Sequence, residues 1–311
     1  MIFKNWSTHK LVSIVSKLIR SPHFYYGLIL GIGIVLFFIP SSLRATPQKD
    51  LLNFQHPPQP IVKTKNLPNL STNYYILIDS ATNQILVSQN ADSRVYPAST
   101  TKLVTVLTAL NIYPLDEVVT ATAYDNGQNM ALQDGEKVTV RTLVSGLLIY
   151  SANDAAFNLA NHYPQGPTAF VAQMNDLVVK YGLKNTHFVN FDGLHDPNHY
   201  STPYDLAQIG RLASQNSIVR ELVKTKDAKL YDINGQITHY VTSTDELLGV
   251  VPEIEGLKTG WTPEADGCFI GLININGHYL ISVVAQSQDR FNDTKLLVDW
   301  AKNNLTWRTY Q

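Results

Sequence analysis

The chain of 311 residues contains a single cysteine, Cys268. One cysteine cannot form an internal disulfide, and it excludes a metal site built from several thiolates. The segment with His195, Asp196 and His199 has no spacing typical of a zinc site, and Pro197 prevents a regular helix there. We therefore expect a protein that folds around its hydrophobic core and uses no metal or other cofactor.

Residues 1–44 contain no aspartate or glutamate, although they contain five lysines or arginines. The remaining 19 basic and all 25 acidic side chains lie in residues 45–311, which gives that part of the chain a formal net charge of −6. Nucleic-acid binding depends largely on a basic surface. The acidic main body therefore argues against a nucleic-acid partner.

The basic N-terminus is followed by an uncharged apolar run of 16 residues, numbers 24–39. A helix of that length spans about 24 Å, so residues 40–43 would be needed to cross a bilayer core of about 30 Å. Because the positive charges precede the run, the positive-inside rule places the N-terminus in the cytoplasm and the rest of the chain outside. A cleaved signal peptide is the alternative, although no clear small-residue cleavage site follows the run.

The sequence thus predicts four consecutive segments. Residues 1–23 form a basic amphipathic segment on the cytoplasmic face, and residues 24–43 form a signal anchor through the membrane. Residues 44–70, which contain five prolines, form an extended linker. Residues 71–311 form the folded domain.

The folded domain begins and ends with strand patterns and has helical patterns between them. Apolar runs predict strands at 74–79, 84–88, 268–275 and 279–286. Apolar residues at helical spacing predict helices at 102–110, 140–150, 154–162, 170–181, 205–215 and 292–303. We therefore predict a layered α/β (α+β) fold, in which helices flank a mostly antiparallel sheet whose terminal strands come together.

Three short motifs concern the chemistry of this domain, and the first is Ser99-Thr100-Thr101-Lys102. At the start of a helix, residues three apart project from one face, so Ser99 and Lys102 would lie side by side. Lysine activates a serine nucleophile only if its pKa falls, which burial, a helix N-terminus and a second cation such as Lys258 would favour. The Ser99 N–H, unpaired at the helix start, is a natural oxyanion donor.

The second motif, Ser151-Ala152-Asn153, follows the predicted helix at 140–150. Ser151 can pass a proton between Lys102 and a leaving amine, while Asn153 can bond a substrate amide and orient Lys102. Taken alone, the same residues are better explained as the cap of the next helix.

The third motif is Lys258-Thr259-Gly260, with Trp261 after it. On a strand edge, Lys258 and Thr259 would receive a substrate carboxylate, and Gly260 would let the substrate backbone approach closely. The backbone N–H of Trp261 is the expected second oxyanion donor. Each motif is weak evidence alone, but the three in this order, 52 and 107 residues apart, indicate one serine acyl-transferase site.

With the residues around them, the motifs resemble the low-molecular-mass penicillin-binding proteins, the serine-type D-Ala-D-Ala carboxypeptidases of peptidase family S11. The resemblance covers about residues 74–303, and its blocks are 96–103, 151–156, 188–194, 199–207 and 256–260. It implies a β-lactamase/transpeptidase-like fold with a five-stranded, mostly antiparallel sheet flanked by helices.

The resemblance also implies an activity: removal of the terminal D-Ala from peptidoglycan stem peptides through an acyl-enzyme on Ser99, with β-lactams as inhibitors. Arg290 matches an arginine that helps to hold the substrate carboxylate in this family. A bacterial enzyme of this kind would be a single-pass membrane protein, with its catalytic domain on the outer face of the cell membrane.

Two departures from the family pattern are visible. Many relatives carry a second, β-rich domain and a C-terminal amphipathic anchor. A chain that ends at Gln311 leaves no room for either. We therefore expect the N-terminal anchor to replace the C-terminal one. Asp245-Glu246 precedes Leu247-Leu248, where an asparagine is often found.

Three other functions use similar residues. A D,D-endopeptidase of peptidoglycan cross-links would need the same groups. A β-lactamase would need a deacylating glutamate, and no glutamate between Asn153 and Lys258 stands at a convincing place. A non-catalytic penicillin-binding sensor would not need the complete set.

Overall fold

The computed structural model describes residues 22–23 and 57–309, apart from residues 65 and 68. The predicted anchor at 24–43 and nearly all of the predicted segment at 1–23 lie outside this part. None of the helices in the described part combines the length and the apolar character that a bilayer crossing requires.

The helices and strands are numbered in chain order. The helices are α1 (Lys102–Ile112), α2 (Val140–Ser145), α3 (Asn153–Asn161), α4 (Gly166–Lys180), α5 (Pro203–Gln215), α6 (Ser217–Val223) and α7 (Arg290–Asn304). The strands are β1 (Gln59–Val62), β2 (Tyr74–Asp79), β3 (Ile85–Gln89), β4 (Val118–Thr120), β5 (Lys137–Thr139), β6 (Asp227–Tyr231), β7 (Thr238–Thr242), β8 (Ile254–Thr262), β9 (Asp266–Ile275), β10 (His278–Ser287) and β11 (Leu305–Arg308).

The main sheet has five antiparallel strands in the order β3-β2-β10-β9-β8. Strand β10 pairs with β2 in a register that sets Ile281 opposite Ile78, so the two ends of the folded region meet at the centre of the sheet. Strand β8 forms one edge of the sheet. The predicted layered fold with a five-stranded antiparallel sheet is therefore confirmed.

Alternation along β2 shows how the sheet separates two hydrophobic layers. Ile76 and Ile78 belong to the larger core, which the sheet shares with α1, α3, α4 and α5. Tyr75 and Leu77 belong to the smaller core, where Leu297 of α7 packs against the opposite face. Because side chains alternate along a strand, one apolar strand can serve both layers.

Side-chain caps define where several of these helices begin. The Thr202 hydroxyl accepts a hydrogen bond from the Asp205 N–H at 3.1 Å at the start of α5, and the Asp289 carboxylate accepts one from the Asn292 N–H at 3.0 Å at the start of α7. These bonds satisfy donors that a helix start leaves unpaired. The cap at Asp289 places Arg290 in the first turn of α7.

The predicted linker at 44–70 overlaps the folded unit. Residues 59–62 form β1 and pair with β11, and the Trp300 indole N–H donates to the Asn66 carbonyl oxygen at 2.9 Å. Pro60 is acceptable in β1 because this strand has a partner on one side only. The folded unit thus includes residues before the predicted boundary at 71.

Candidate active site

The first motif lies on a 3₁₀ turn, Ala98–Thr101, that runs directly into α1. Ala98 has a φ of 47°, a conformation that side chains other than glycine rarely adopt, and this bend presents Ser99 to solvent at the sheet edge. The Lys102 Nζ donates to the Ser99 Oγ at 2.8 Å. The structure therefore brings the predicted nucleophile and its predicted base into direct contact.

Lys102 is completely buried, which is costly for an ammonium group. Burial lowers the pKa of Lys102 to about 8, although the Asp192 carboxylate acts in the opposite direction. The Nζ also donates to the Asp192 carbonyl oxygen at 2.6 Å, so two hydrogen bonds fix its position beside Ser99. A lysine with this pKa has an appreciable neutral fraction near neutral pH and can accept the serine proton.

This pKa predicts how acylation depends on pH. Because the neutral amine is the active form, the second-order rate of penicillin acylation should rise as pH passes through about 8 and should fall about tenfold per pH unit well below that value. Intact-protein mass spectrometry of quenched samples between pH 6 and 9 measures this rate. A profile that stays flat over the range would contradict the assignment of Lys102 as the base.

The segment 188–199 makes hydrogen bonds to residues on either side of Lys102 in the sequence, Thr101 and Thr105. The Thr105 hydroxyl donates to the Phe191 carbonyl oxygen at 2.6 Å. His199 Nδ1 accepts from the Val189 N–H at 3.3 Å, so its Nε2 carries the proton and donates to the Thr101 hydroxyl at 2.8 Å. Burial lowers the pKa of His199 to about 3, which keeps the imidazole neutral under the nucleophile turn.

The second motif follows an irregular helix end. The predicted helix at 140–150 becomes α2 and then a π-helical turn, Gly146–Tyr150, after which Ser151 has a left-handed backbone with φ 66°. This change of direction brings the Ser151 side chain to the same cleft as Ser99. The Asn153 Nδ2 donates to the Asn126 carbonyl oxygen at 2.7 Å, and no hydrogen bond joins Asn153 to Lys102 within the described chain.

The third motif lies on the edge strand β8. Lys258 is buried, and its Nζ donates to the Thr259 carbonyl oxygen at 2.8 Å. Burial lowers the pKa of Lys258 well below its usual value, and the nearby charges of Lys102 and Arg290 act in the same direction. The Arg290 Nε donates to the Thr259 Oγ1 at 2.7 Å, so α7 supplies a guanidinium to the same end of the cleft.

Gly260 has a structural role in addition to the one predicted. A Cβ at this position would lie 2.6 Å from the Ser99 amide nitrogen and 3.0 Å from the Ala98 Cβ. The first contact is shorter than real Cβ atoms show and involves a backbone atom, so only glycine lets β8 pack this closely against the nucleophile turn. The close approach brings β8 beside the Ser99 N–H, while Trp261 on the same strand is exposed.

Six of the nine predicted site residues line one cleft of about 410 Å³, namely Ser99, Ser151, Thr259, Gly260, Trp261 and Arg290. The other three, Lys102, Asn153 and Lys258, are buried. The structure thus brings together motifs that the sequence separates by more than a hundred residues.

Four residues that line the cleft were missed by the sequence prediction: Gln128, Ser243, Thr244 and Glu246. Gln128 lies in a long loop without a motif, and its Nε2 donates to the Tyr150 carbonyl oxygen at 2.6 Å. The other three follow the hairpin of β6 and β7, which was not predicted. The β-branched and aromatic residues of 238–242 were the available signal for that hairpin.

The side chains at this cleft are suited to acyl transfer through a serine nucleophile. It has a serine hydroxyl beside a buried amine, a second hydroxyl across the cleft, and two cationic side chains at one end. A nucleophile activated in this way forms an ester with a carbonyl carbon, and the cationic end selects a substrate with a carboxylate. The site is therefore built for acyl transfer from a peptide with a free C-terminus.

The family model described as D-alanyl-D-alanine carboxypeptidase, Peptidase_S11, matches residues 61–289. The chain belongs to this family. Among its relatives is the D-alanyl-D-alanine carboxypeptidase of Streptomyces sp. strain K15, which is 37% identical over 68% of this chain and 79% of its own length. DacD of Escherichia coli K12, of the same description, is 31% identical over 90% of this chain and 72% of its own length.

The extent of the match differs among relatives. D-alanyl-D-alanine carboxypeptidase DacF of Bacillus subtilis strain 168 is 31% identical over 67% of this chain, but the match spans only 56% of that protein. The solved structure of the Streptomyces K15 DD-transpeptidase superposes with a TM-score of 0.71 at 33% identity, over 76% of this chain and 98% of that one. The shared part is thus the domain that carries the three motifs.

Proposed function

We propose that this S11-family protein is a serine D-Ala-D-Ala carboxypeptidase that removes the terminal D-Ala from peptidoglycan stem peptides. The observation that supports this most directly is the contact between the buried Lys102 amine and the Ser99 hydroxyl at the edge of a cleft with a cationic end. The names of the relatives, all D-alanyl-D-alanine carboxypeptidases, supply the substrate class.

Acylation begins when Ser99 Oγ attacks the carbonyl carbon of the penultimate D-Ala and its proton passes to Lys102. We expect the N–H groups of Ser99 and Trp261 to bond the oxyanion that forms. As the carbon–nitrogen bond breaks, Ser151 relays the proton from Lys102 to the leaving amine, and the free D-Ala departs. A water molecule then hydrolyses the ester, with Lys102 as base again.

The cationic end selects the substrate. Lys258, Thr259 and Arg290 would bind the carboxylate of the terminal D-Ala, and a penicillin carries a carboxylate in the corresponding place. In a β-lactam the leaving amine stays tethered to the acyl group and blocks the approach of water. We therefore expect β-lactams to acylate Ser99 and to inhibit the enzyme.

D-Ala release from a pentapeptide ending in D-Ala-D-Ala tests this function, with the same peptide ending in D-Ala-L-Ala as the control. We expect stoichiometric release from the first peptide, none from the second, and inhibition by prior exposure to benzylpenicillin. Preferred cleavage of a cross-linked dimer would assign a D,D-endopeptidase instead. Sustained nitrocefin hydrolysis would assign a β-lactamase, and penicillin labelling without cleavage of either peptide would assign a sensor.

We also propose that residues 24–43 anchor the protein in the bacterial cell membrane and that residues 44–58 connect this anchor to the catalytic domain on the outer face. The charge distribution of residues 1–44 and the location of the proposed substrate in the cell wall support this topology. Penicillin labelling of washed membranes tests it: labelled protein of full mass should sediment with the membranes, whereas a soluble form without residues 1–43 would indicate a cleaved signal peptide.

A further inference from the structure

The hairpin of β6 and β7 stands beside the substrate cleft. Ser243 and Thr244, which directly follow β7, line the cleft. The Ser243 N–H donates to the Lys226 carbonyl oxygen at 2.7 Å, which closes the base of the hairpin. The Thr244 N–H donates to the Ile149 carbonyl oxygen at 3.1 Å, which holds this base against the turn that precedes Ser151. The base of the hairpin therefore lies at the rim of the cleft.

The inner face of the hairpin is fixed to the rest of the domain. His239 is buried, and its two ring nitrogens lie 2.7 Å from the Met130 carbonyl oxygen and 2.7 Å from the Glu136 carboxylate. At the tip, the Ile233 N–H donates to the Lys137 carbonyl oxygen at 2.8 Å. A two-stranded hairpin is only marginally stable on its own in water. These contacts therefore give its outer face a defined shape.

The outer face carries two exposed tyrosines. Tyr231 is 50% exposed and Tyr240 is 72% exposed. The register pairs Tyr240 with Lys229 and Tyr231 with Thr238. The two rings thus lie on a diagonal of one face, where neighbours are about 7–8 Å apart. Exposed aromatic surface that is grouped in this way is typical of an interaction site.

A cavity opens at the base of this face, on the side of the cleft. It has a volume of about 260 Å³ and is lined by Asp227, Ala228, Lys229, Tyr240, Val241 and Thr242. The Asp227 carboxylate accepts a hydrogen bond from the Thr242 hydroxyl at 2.7 Å, and the Lys229 ammonium lies 5.4 Å from the centroid of the Tyr240 ring. The cavity thus offers a carboxylate, a hydroxyl and an ammonium group beside an aromatic ring.

These groups match the chemistry of a sugar. A sugar ring has a face of C–H groups that packs on an aromatic ring, and hydroxyls at its edge that bond to carboxylate, ammonium and hydroxyl groups. The opposite charges of Asp227 and Lys229 leave the cavity without a net charge. Nucleic acids and anionic lipids, in contrast, bind to surfaces that are strongly basic.

We propose that the outer face of the β6–β7 hairpin binds the glycan strand of peptidoglycan, with Tyr240 as the main contact. This inference goes beyond the function proposed above and rests on it in one respect, since it takes the peptide in the cleft to be attached to a glycan. Because the hairpin base lies at the cleft rim, the glycan and its stem peptide are held together. Two linked contacts raise the local concentration of the peptide at the cleft. The site therefore favours peptides on polymeric peptidoglycan over free peptides.

Binding of chitotetraose, a peptide-free tetramer of N-acetylglucosamine, tests the site directly. The full chain in detergent is titrated with this oligosaccharide by NMR. Tyr240→Ala should weaken binding by about tenfold or more, because it removes the ring on which the sugar packs. Tyr181→Ala is the matched control, since Tyr181 is 48% exposed, also lies near a lysine and stands outside the hairpin. That variant should bind like the wild type. No binding to the wild type, or equal affinity in Tyr240→Ala, would overturn the proposal.

Release of D-Ala from pentapeptides on intact glycan strands, compared with release from the free pentapeptide, connects the site to turnover. In Tyr240→Ala, kcat/KM on the glycan-attached peptide should fall about five- to tenfold, mainly through KM, and the value for the free peptide should fall by less than about twofold. Equal losses on both substrates would mean that Tyr240 acts on the cleft itself and would refute the glycan site. If neither substrate releases D-Ala, the carboxypeptidase assignment fails, and the chitotetraose titration still decides on the glycan site.

A second copy of this chain is the competing occupant, because β6 and β7 form a two-stranded sheet in which each strand has an open edge. Light scattering of the same samples measures the oligomeric state. A wild type whose mass is unaffected by Tyr240→Ala supports the glycan as the occupant. A dimer that Tyr240→Ala converts to a monomer, with chitotetraose binding unchanged, would assign the face to self-association instead.

Discussion

Replacing Ser99 with alanine is expected to remove D-Ala release by at least about 10⁴-fold and to prevent any covalent penicillin adduct. The proposed reaction depends on an ester bond to the Ser99 oxygen, and no other hydroxyl in the described chain donates to or accepts from the buried Lys102 amine. Loss of the nucleophile therefore removes both the acyl-enzyme and the reaction that passes through it.

Intact-protein mass spectrometry after exposure to benzylpenicillin makes this test direct. The wild type should gain the mass of one penicillin and Ser99→Ala should gain none. Ser243→Ala is the matched control, because it removes another hydroxyl from the same cleft and should still form the adduct. An adduct of full stoichiometry on Ser99→Ala would exclude Ser99 as the nucleophile.

Replacing Gly193 with alanine is expected to have the next largest effect, although this residue is not a catalytic group. A Cβ at Gly193 would overlap the Ala98 carbonyl oxygen and would lie 2.5 Å from the carbonyl carbon, and the φ of +86° is itself unfavourable for alanine. The turn that carries Ser99 would have to move. We expect acylation to fall about 100-fold and the free energy of unfolding to fall by about 2–4 kcal/mol.

Gly182→Ala is the control that distinguishes the steric overlap of a new Cβ from the backbone strain of a positive φ. Gly182 has a similar φ of +74°, but a Cβ there would meet nothing within 4 Å. This variant should therefore lose only about 1 kcal/mol of stability and retain its acylation rate. The comparison requires thermal unfolding and penicillin acylation of both variants. Equal acylation rates in the two variants would show that Gly193 does not hold the nucleophile turn.

The sequence predicted those parts of the fold that local patterns determine. The strand predicted from the apolar run at 74–79 and the helix predicted from Lys102 onward both begin where they were predicted to begin, and the terminal strands pair as expected. The hairpin of β6 and β7 was missed because each of its strands has only five residues. The pairing of β1 with β11 depends on residues more than 240 positions apart, for which a single sequence holds no local signal.

The site residues also fall into two groups: those that local motifs predict and those that only the tertiary fold brings to the cleft. Ser99, Lys102 and Ser151 were predicted because they belong to short motifs, and in the structure Ser99 and Ser151 line one cleft while the buried Lys102 bonds to Ser99. Gln128 and Thr244 were missed because only the tertiary fold brings their loops to the cleft. Asp245 was noted only as a departure from the family pattern, since its burial depends on packing that the sequence does not display.

The pairing of β2 with β10 also sets a time at which the protein becomes able to bind penicillin. About 200 residues separate Asp79 from its partner Leu280, and a ribosome adds roughly 5–20 residues per second, so β2 has no neighbour on that side for about 10–40 s. Strand β8, which abuts the Ser99 turn, is likewise held in the sheet only through β9 and β10. A nascent chain therefore carries its nucleophile long before it carries a working site, and labelling by penicillin marks the moment at which synthesis of the domain is complete.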